Sequence, residues 1–194
     1  FRNIQITNYK TGIRGKSPVG FIAENVIIKD MGSPTMDASP SGSGLGIYFG
    51  SASGAASANR ILACTFVNCT AVCVLLSGQR NLIEGSKAFC NEAADLRDVL
   101  ATTDYYFQAR GSGNIFRNCL AYKDTPNGWG HSGHGFVLKA NDIVTERNLI
   151  ERCEAVGILG AIELRHPEVR FNVAKDCISR ADIPNARTTE FGTA

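Results

Sequence analysis

Two short segments of the chain end in basic residues that could share one chemical task. Segment 135–139 reads GFVLK and segment 161–165 reads AIELR, with His166 directly after it. Lys139 and Arg165 take the fifth position of each segment, where strand alternation turns a side chain outward. On consecutive parallel strands their backbones would lie about 4.8 Å apart. Such a pair can neutralise a carboxylate, and a neighbouring cation lowers the pKa of a lysine, which suits a base.

A simpler interpretation of these charges stays open. Lys139 and Arg165 could be solvated residues on an outer face, and Glu163 could form a surface ion pair with Lys139.

Two histidines stand close together in the segment WGHSGHG. His131 and His134 have the H-x-x-H spacing that can hold a metal ion with a third ligand. The alternative is that they anchor a loop. Asp104 is a single carboxylate expected one rung from His134, and we group it with Glu163 as a candidate substrate-binding residue.

Aromatic residues lie near these charges in sequence or in register. Trp129, Tyr105, Phe107 and Tyr122 could stack on the apolar faces of sugar rings. The alternative is that they pack beneath inserted loops.

Three acidic residues, Glu92, Asp95 and Asp98, lie together in a predicted loop. Carboxylate oxygens are the ligands that calcium prefers, so calcium is the one cofactor that we keep open. Because no EF-hand-like spacing is present, ordinary solvated acids are the alternative, and we assign no metal site.

An eleven-residue template with two apolar slots and a small or polar residue between them recurs six times. The copies that we assign begin at Gly20, Asn59, Asn81, Asn114, Ile143 and Pro167. A repeat of this kind indicates a solenoid. Stacked Asn side chains can hydrogen-bond along a solenoid axis and accept left-handed bends. Thr145 is the weak member of the first apolar slot.

A second strand is predicted before most copies. Alternation within these strands predicts an interior face formed by Ile47/Phe49, Val74/Leu76, Tyr106/Gln108, Phe136/Leu138 and Ile162/Leu164. Gln108 is the only polar member of that face.

The seven cysteines lack the spacing of a zinc site. Most fall in repeat slots, which favours buried reduced thiols and weakly disfavours an oxidising compartment. If a disulfide exists, the sequence favours Cys153 with Cys177.

Composition is that of an ordinary globular protein, with 44% hydrophobic residues and a formal net charge of +2. The chain has no long basic run and no apolar run of about 18 residues, so we expect neither a nucleic-acid nor a membrane partner. We predict an all-β fold with one domain over residues 1–194. Because the chain opens at Phe1 in a strand-like segment, we expect it to be cut from a longer solenoid. Loop insertions are expected near 31–46, 91–104 and 122–134.

The repeats resemble the PbH1 repeats of the pectate-lyase-like superfamily. The segments GNIFRNCLAYKDTP, HGFVLKANDIVTERNLIERCEAVGI and AIELRHPEVRFNVAKDC carry the resemblance. It implies a single-stranded right-handed parallel β-helix. That superfamily includes polysaccharide lyases, hydrolases, epimerases and phage tailspikes, so the repeat by itself does not select an activity. The GHG at residues 133–135 is also similar to polygalacturonase-type hydrolases, but the paired Asp motifs of those enzymes are absent.

A closer similarity is to polysaccharide lyase family six, of the chondroitinase B and alginate lyase type. Those enzymes place a Lys at the end of one rung strand and Arg-His at the end of the next, as VLK and ELRH do here. The resemblance implies Lys139 as general base and Arg165 as general acid, with His134 or His166 assisting. The acidic calcium ligands of that family are not evident, and the segment between Lys139 and Arg165 contains an extra loop, Gly157–Gly160.

The expected function is therefore a lyase or C5-epimerase that acts on a uronate-containing polysaccharide. The alternative is a non-catalytic carbohydrate-binding or structural β-helix, such as a segment of a phage tail fibre, tailspike or adhesin. A homotrimer is an assembly that this alternative would use. A glycan-active protein of this kind would be extracellular or virion-associated.

Overall fold

The computed structural model describes residues 1–32, 44–50, 55–90, 103, 105–123, 133–140, 143–158 and 160–180. Every regular element in these ranges is a β-strand, and each strand pairs in parallel with its neighbours. The chain passes through three sheets in turn and then returns to the first, so each turn of the chain forms one rung of a solenoid.

Sheet 1 carries the candidate site. Along the stack it contains β2 (Thr11–Gly15), β5 (Leu45–Phe49), β9 (Val72–Gln79), β12 (Tyr105–Arg110), β15 (His134–Lys139) and β19 (Gly160–Arg165).

Sheets 2 and 3 complete the three walls. Sheet 2 contains β3 (Ile22–Glu24), β7 (Arg60–Leu62), β10 (Leu82–Glu84), β13 (Ile115–Arg117), β17 (Leu149–Glu151) and β21 (Val173–Lys175). Sheet 3 contains β1 (Gln5–Thr7), β4 (Ile27–Met31), β8 (Thr65–Cys69), β11 (Lys87–Cys90), β14 (Leu120–Lys123), β18 (Glu154–Val156) and β22 (Ile178–Arg180). Three short strands lie at the corner after sheet 1: β6 (Ala56–Ser57), β16 (Thr145–Glu146) and β20 (Val169–Arg170).

One residue per rung makes the bend from sheet 2 to sheet 3. The residue that follows each sheet 2 strand has a positive φ, as at Asn25, Asn118 and Arg152, with φ of 52°, 52° and 50°. A left-handed residue turns the chain sharply within one position, and Asn accepts that conformation more readily than most residues. This left-handed residue produces the corner of the solenoid, and it is Ala63 or Gly85 in two rungs, so the corner does not require a polar side chain.

The interior contains vertical columns of apolar side chains. The register of sheet 1 aligns Ile47, Val74, Phe107, Phe136 and Ile162. The rings of Phe107 and Phe136 stack with centroids 5.4 Å apart and an interplanar angle of 6°. The predicted interior column is confirmed for the four aliphatic and aromatic residues that the sequence placed there.

The prediction for β12 was right for Tyr106, which belongs to the core, and wrong for Gln108. Phe107 and Ala109 take the interior positions of the register, and Gln108 lies on the outer face. The reason is a local break in alternation. Tyr106 and Phe107 both belong to the main core cluster, so two consecutive residues of the strand face inward.

A ladder of asparagine amides runs along the start of sheet 2. Asn59 Nδ2 donates to Asn81 Oδ1 over 2.9 Å, and Asn81 Nδ2 donates to Asn114 Oδ1 over 2.8 Å. The ladder continues because Asn114 N donates to Asn148 Oδ1 (2.7 Å) and Asn148 Nδ2 donates to Asn172 Oδ1 (2.9 Å). Axial hydrogen bonding of Asn is therefore confirmed.

The ladder also corrects the repeat assignment. The last two copies begin at Asn148 and Asn172, five residues after the predicted Ile143 and Pro167. The first begins at Phe21, whose N–H donates to Asn59 Oδ1 over 2.9 Å. Thr145 lies outside the apolar slot and belongs to β16.

All seven cysteines are free, and all but Cys177 are buried. Four of them follow sheet 2 in successive or nearby rungs: Cys64, Cys119, Cys153 and Cys177. The Cys153 thiol beside Cys119 lowers the pKa of Cys119, and the Cys119 thiol raises the pKa of Cys153. The prediction of reduced thiols is confirmed, and Cys153 and Cys177 are not joined by a disulfide.

Ion pairs join the rungs on the outer face of sheet 2. Arg117 Nε lies 2.8 Å and Lys175 Nζ lies 2.7 Å from the carboxylate of Glu151. Hydrogen bonds from Lys175 and Arg117 lower the pKa of Glu151 to about 2. Because Arg117 and Lys175 come from the rungs on either side, this carboxylate links three consecutive strands.

Candidate functional site

Lys139 and Arg165 end two adjacent strands of sheet 1. Lys139 of β15 pairs in register with Arg165 of β19. Leu138 and Leu164, one position earlier, form the preceding pair of the same register and contact the interior. The two basic side chains therefore lie side by side on the outer face, as the sequence predicts.

Tyr105 and His134 form an aromatic stack on the same face. They open β12 and β15 and are register partners. Their ring centroids are 5.6 Å apart and the rings are inclined by 25°. Gly160 is the next register partner, and a Cβ there would come within 2.7 Å of His134 Nδ1. Glycine at this position therefore leaves room for the imidazole.

Glu163 lies between the two halves of the site. Its Oε1 accepts a hydrogen bond from Arg165 Nε over 2.7 Å, and its Oε2 lies 3.1 Å from His134 Nδ1. The second contact has the distance of an ion pair without the alignment of a hydrogen bond. The carboxylate of Glu163 is 8% exposed, and a buried carboxylate needs partners of this kind. The sequence suggested Lys139 as its partner, and the two partners at these distances are Arg165 and His134.

Both cations also lie over the Tyr105 ring. Lys139 Nζ is 5.4 Å and Arg165 Cζ is 5.7 Å from its centroid. Arg165 Nη1 donates a hydrogen bond to the Tyr105 hydroxyl. We call Tyr105, His134, Lys139, Glu163 and Arg165 the Tyr105 cluster. It joins three consecutive rungs and places two cations, one carboxylate and one imidazole together.

Phe107 and His166 do not belong to this cluster. Phe107 is fully buried in the interior, so its predicted place on a sugar-binding surface is wrong. His166 lies in the turn after β19 with an exposed side chain and a φ of 85°. The contacts of the cluster described above join its five members to one another, and the predicted assisting role of His166 gains no support. Tyr122 lies on sheet 3, where its ring packs edge-on against Phe89 with centroids 6.0 Å apart.

Several predicted residues lie outside the described part of the chain: Glu92, Asp95, Asp98, Asp104, Trp129 and His131. The predictions of calcium binding and of an H-x-x-H metal pair depend on these residues. Among the residues that are described, no group of three His, Cys, Asp or Glu side chains could hold a metal ion.

Three further polar residues of this face were missed in the sequence. Gln108 and Arg110 lie on the outer side of β12, and Ser77 pairs in register with Arg110. The sequence did carry a signal, because segment 106–110 reads YFQAR and ends in a cation at its fifth position, as GFVLK and AIELR do. The match with the other two segments was missed because the strand was predicted at 105–109, one residue too early.

An apolar cavity of about 330 Å³ lies elsewhere, at the last rung. Phe136, Ile162, Cys153, Ala174 and Cys177 are among the residues that line it. It is the interior of the solenoid beneath the final described strands, and the charged side chains of the Tyr105 cluster are not part of its lining.

Comparison with protein-family models agrees with this architecture. The model described as "Right handed beta helix region" matches residues 1–173. The chain belongs to the right-handed β-helix family. This β-helix has no significant match among curated proteins, and none among solved structures. A search of the described residues for a helix long and apolar enough to span a membrane found none.

Proposed function

We propose that this β-helix acts on a uronate-containing polysaccharide as a lyase or C5-epimerase. The observation that carries the proposal is the register pairing of Lys139 with Arg165, on a face where Tyr105 and His134 stack. Membership of the right-handed β-helix family also supports the proposal, because a polymer chain can lie across the successive rungs of such a scaffold.

The first chemical step would be removal of the C5 proton of a uronate. Lys139 Nζ takes that proton, and negative charge develops on the adjacent carboxylate. Arg165 stabilises this charge, since a guanidinium that is already oriented costs no reorganisation during the reaction. Glu163 and Tyr105 supply the orientation through their hydrogen bonds to Arg165.

The second step would need a proton donor, and His134 is the better candidate. The resemblance implies Arg165, but a guanidinium keeps its proton in proteins. In a lyase the C4–O4 bond breaks, its electron pair leaves with O4, and His134 protonates that oxygen as a C4=C5 double bond forms. In an epimerase a proton instead returns to C5 on the opposite face.

Tyr105 has a different role in this proposal from the sugar stacking predicted from the sequence. The residue is 7% exposed, and His134 and the two cations occupy the neighbourhood of its ring. Its hydroxyl positions Arg165. Trp129 and Asp104 stay candidate substrate-binding residues.

The test is solvent-deuterium incorporation at uronate C5, together with near-ultraviolet absorbance of an unsaturated product, on a panel of uronate polymers. Absorbance reports the lyase, whose C4=C5 product carries no hydrogen at C5, and deuterium at C5 reports the epimerase. Lys139→Ala should lower the rate by about 10²–10⁴-fold, which is the usual contribution of general base catalysis. Lys87→Ala is the matched control because Lys87 is an exposed lysine on sheet 3. Equal rates for wild type and Lys139→Ala, or neither C5 deuterium nor an unsaturated product on any polymer, would exclude the proposal.

A non-catalytic β-helix is the second candidate function. The observation that favours it is that Glu163 already pairs with Arg165 and His134. These charges compensate one another, so the cluster can hold three rungs together without a ligand. For a trimeric fibre segment we expect a continuous apolar flank. In the described residues the exposed large apolar side chains lie mainly in the first and last rungs: Phe1, Tyr9, Val19, Ile22, Ile27, Phe171, Val173 and Ile178. Glycan binding with neither C5 exchange nor an unsaturated product would select this candidate.

A further inference from the structure

The basic row of sheet 1 extends one rung beyond Lys139, to Arg110 at the end of the strand that Tyr105 begins. Ser77 pairs with Arg110 across β9 and β12, and Ala109 pairs with Leu138 one position before Arg110 and Lys139. Together with the Lys139–Arg165 pair, this register aligns Ser77, Arg110, Lys139 and Arg165 in one outward row. Cations therefore occupy three consecutive rungs, about 4.8 Å apart along the axis.

Two buried side chains beside Arg110 each contain a polar atom without a hydrogen-bond partner. Ser77 is 0% exposed and Gln108 is 1% exposed. Within the described part of the chain, Ser77 Oγ and Gln108 Nε2 have no hydrogen-bond partner. Proteins satisfy the great majority of buried polar atoms, because a donor taken out of water without a partner costs free energy. A bound group with acceptor oxygens would supply the missing hydrogen-bond partners of Ser77 Oγ and Gln108 Nε2.

The three side chains share one chemical preference. The Gln108 amide nitrogen only donates, the Arg110 guanidinium only donates, and the Ser77 hydroxyl is free to donate. Strand alternation places all three on the outer face, since the intervening Leu76 and Ala109 belong to the interior cluster. A group that matches them must offer several acceptor oxygens and a negative charge.

We propose that Ser77, Gln108 and Arg110 form a second anion-binding subsite, which takes a carboxylate or a sulfate ester. It lies one rung from Lys139 and two rungs, roughly 10 Å, from Arg165. The identification of the ligand as a glycan rests on the proposed function. The subsite then implies that the polymer lies along the solenoid axis and carries an anionic group on a sugar next to the reacting uronate.

The test follows the Gln108 side-chain amide in ¹⁵N NMR spectra while inorganic sulfate is added to the full chain. Gln108→Leu identifies the resonance by its loss. Sulfate should move this resonance in wild type and in Lys139→Ala, whose Tyr105 cluster lacks its lysine. Arg110→Leu should weaken binding at least tenfold, because the charged hydrogen bonds are lost. Arg60→Leu, an exposed arginine on sheet 2, should bind as wild type does.

A gentler variant guards against misfolding. Ser77→Ala removes one hydroxyl and should weaken sulfate binding by about 3- to 10-fold. If the Gln108 resonance does not move in wild type, or moves equally in Arg110→Leu, the subsite is excluded. If it moves only in wild type and not in Lys139→Ala, sulfate binds at the Tyr105 cluster and the subsite is likewise excluded.

The failure of this inference is distinguishable from failure of the proposed function. Sulfate binding that depends on Arg110, with neither C5 exchange nor an unsaturated product on any uronate polymer, keeps the subsite and removes the uronate chemistry. If Arg110→Leu shows wild-type activity on a uronate polymer with an unchanged KM, and sulfate does not shift the Gln108 resonance, the uronate chemistry is kept and the subsite is removed. Carboxylate and sulfate ligands are separated by comparing KM values for unsulfated and sulfated uronate polymers in wild type and Arg110→Leu.

Discussion

Glu163 connects the chemistry of the site to its geometry. Its two oxygens lie against Arg165 and His134, which come from different strands. Glu163→Gln keeps the size of the side chain but removes the charge that both partners face. We expect kcat on a uronate polymer to fall by about 10²-fold, since small misplacements of reacting groups have effects of that size. Urea denaturation should also show a loss of about 1–3 kcal/mol of unfolding free energy.

The control for Glu163 is Glu154→Gln. Glu154 pairs with Arg180 Nη2 over 2.6 Å on sheet 3, where both side chains are partly exposed. Its substitution should leave kcat unchanged and alter stability by less than about 0.5 kcal/mol. A Glu163→Gln protein with wild-type kcat and KM would contradict the role of Glu163 in positioning Arg165.

At the same scale, the sequence was sufficient for some residues and not for others. Lys139 and Arg165 were paired correctly because each is the fifth residue of a segment with the same apolar pattern, so the two segments align end to end. Phe107 was placed wrongly because Tyr105, Tyr106 and Phe107 are all aromatic, so their types do not show where alternation breaks. The contact between Glu163 and His134 depends on side-chain directions and on the space left by Gly160, which no sequence pattern reveals.

The asparagine ladder is the element that fixes the start of each sheet 2 strand. Asn114 Oδ1 accepts from both the backbone N–H and the side chain of Asn81, and Asn114 Nδ2 donates to Gly78 O over 3.0 Å. Asn114→Ala leaves a buried backbone N–H without a partner, so we expect a loss of about 2–3 kcal/mol of unfolding free energy. Urea denaturation followed by circular dichroism measures it.

Gln79→Ala is the matched control for the ladder. Gln79 is exposed at the end of β9, so its substitution should change the unfolding free energy by less than about 0.5 kcal/mol. If Asn114→Ala were as mild as the control, the axial hydrogen bonds would have no net stabilising effect.

The same ladder shows why the strands were predictable and part of their register was not. Asn59, Asn81 and Asn114 begin their copies as predicted, because apolar slots follow each of them. Near Asn148 the repeat template can be aligned with the sequence in two ways, beginning at Ile143 or at Asn148. The alignment that begins at Ile143 satisfies the template except at Thr145. The choice between the two alignments is decided by amide hydrogen bonds between rungs, and these depend on residues 24 to 34 positions away.

Stability along the described rungs should be lowest at the rung that contains β21 and β22. In a solenoid each rung is stabilised mainly by packing against its neighbours, so a rung with few buried side chains opens more easily. In this β-helix the last described rung also borders the apolar cavity of about 330 Å³, and its strand β21 is exposed at all three positions. We therefore expect the described chain to open first at β21 and β22 and last near its middle.

The seven cysteines can measure this gradient without any substitution. Cys177 is partly exposed in the last rung, whereas Cys64, Cys73 and Cys119 are buried in earlier rungs. Burial raises the pKa of Cys177, so even this thiol should react more slowly with iodoacetamide than a free thiol does. The buried thiols should react at least tenfold more slowly than Cys177, since they become accessible only when several rungs open together. Peptide mass spectrometry after timed labelling gives each rate. Labelling of Cys73 or Cys119 as fast as Cys177 would show that the rungs open together and that stability is uniform along the stack.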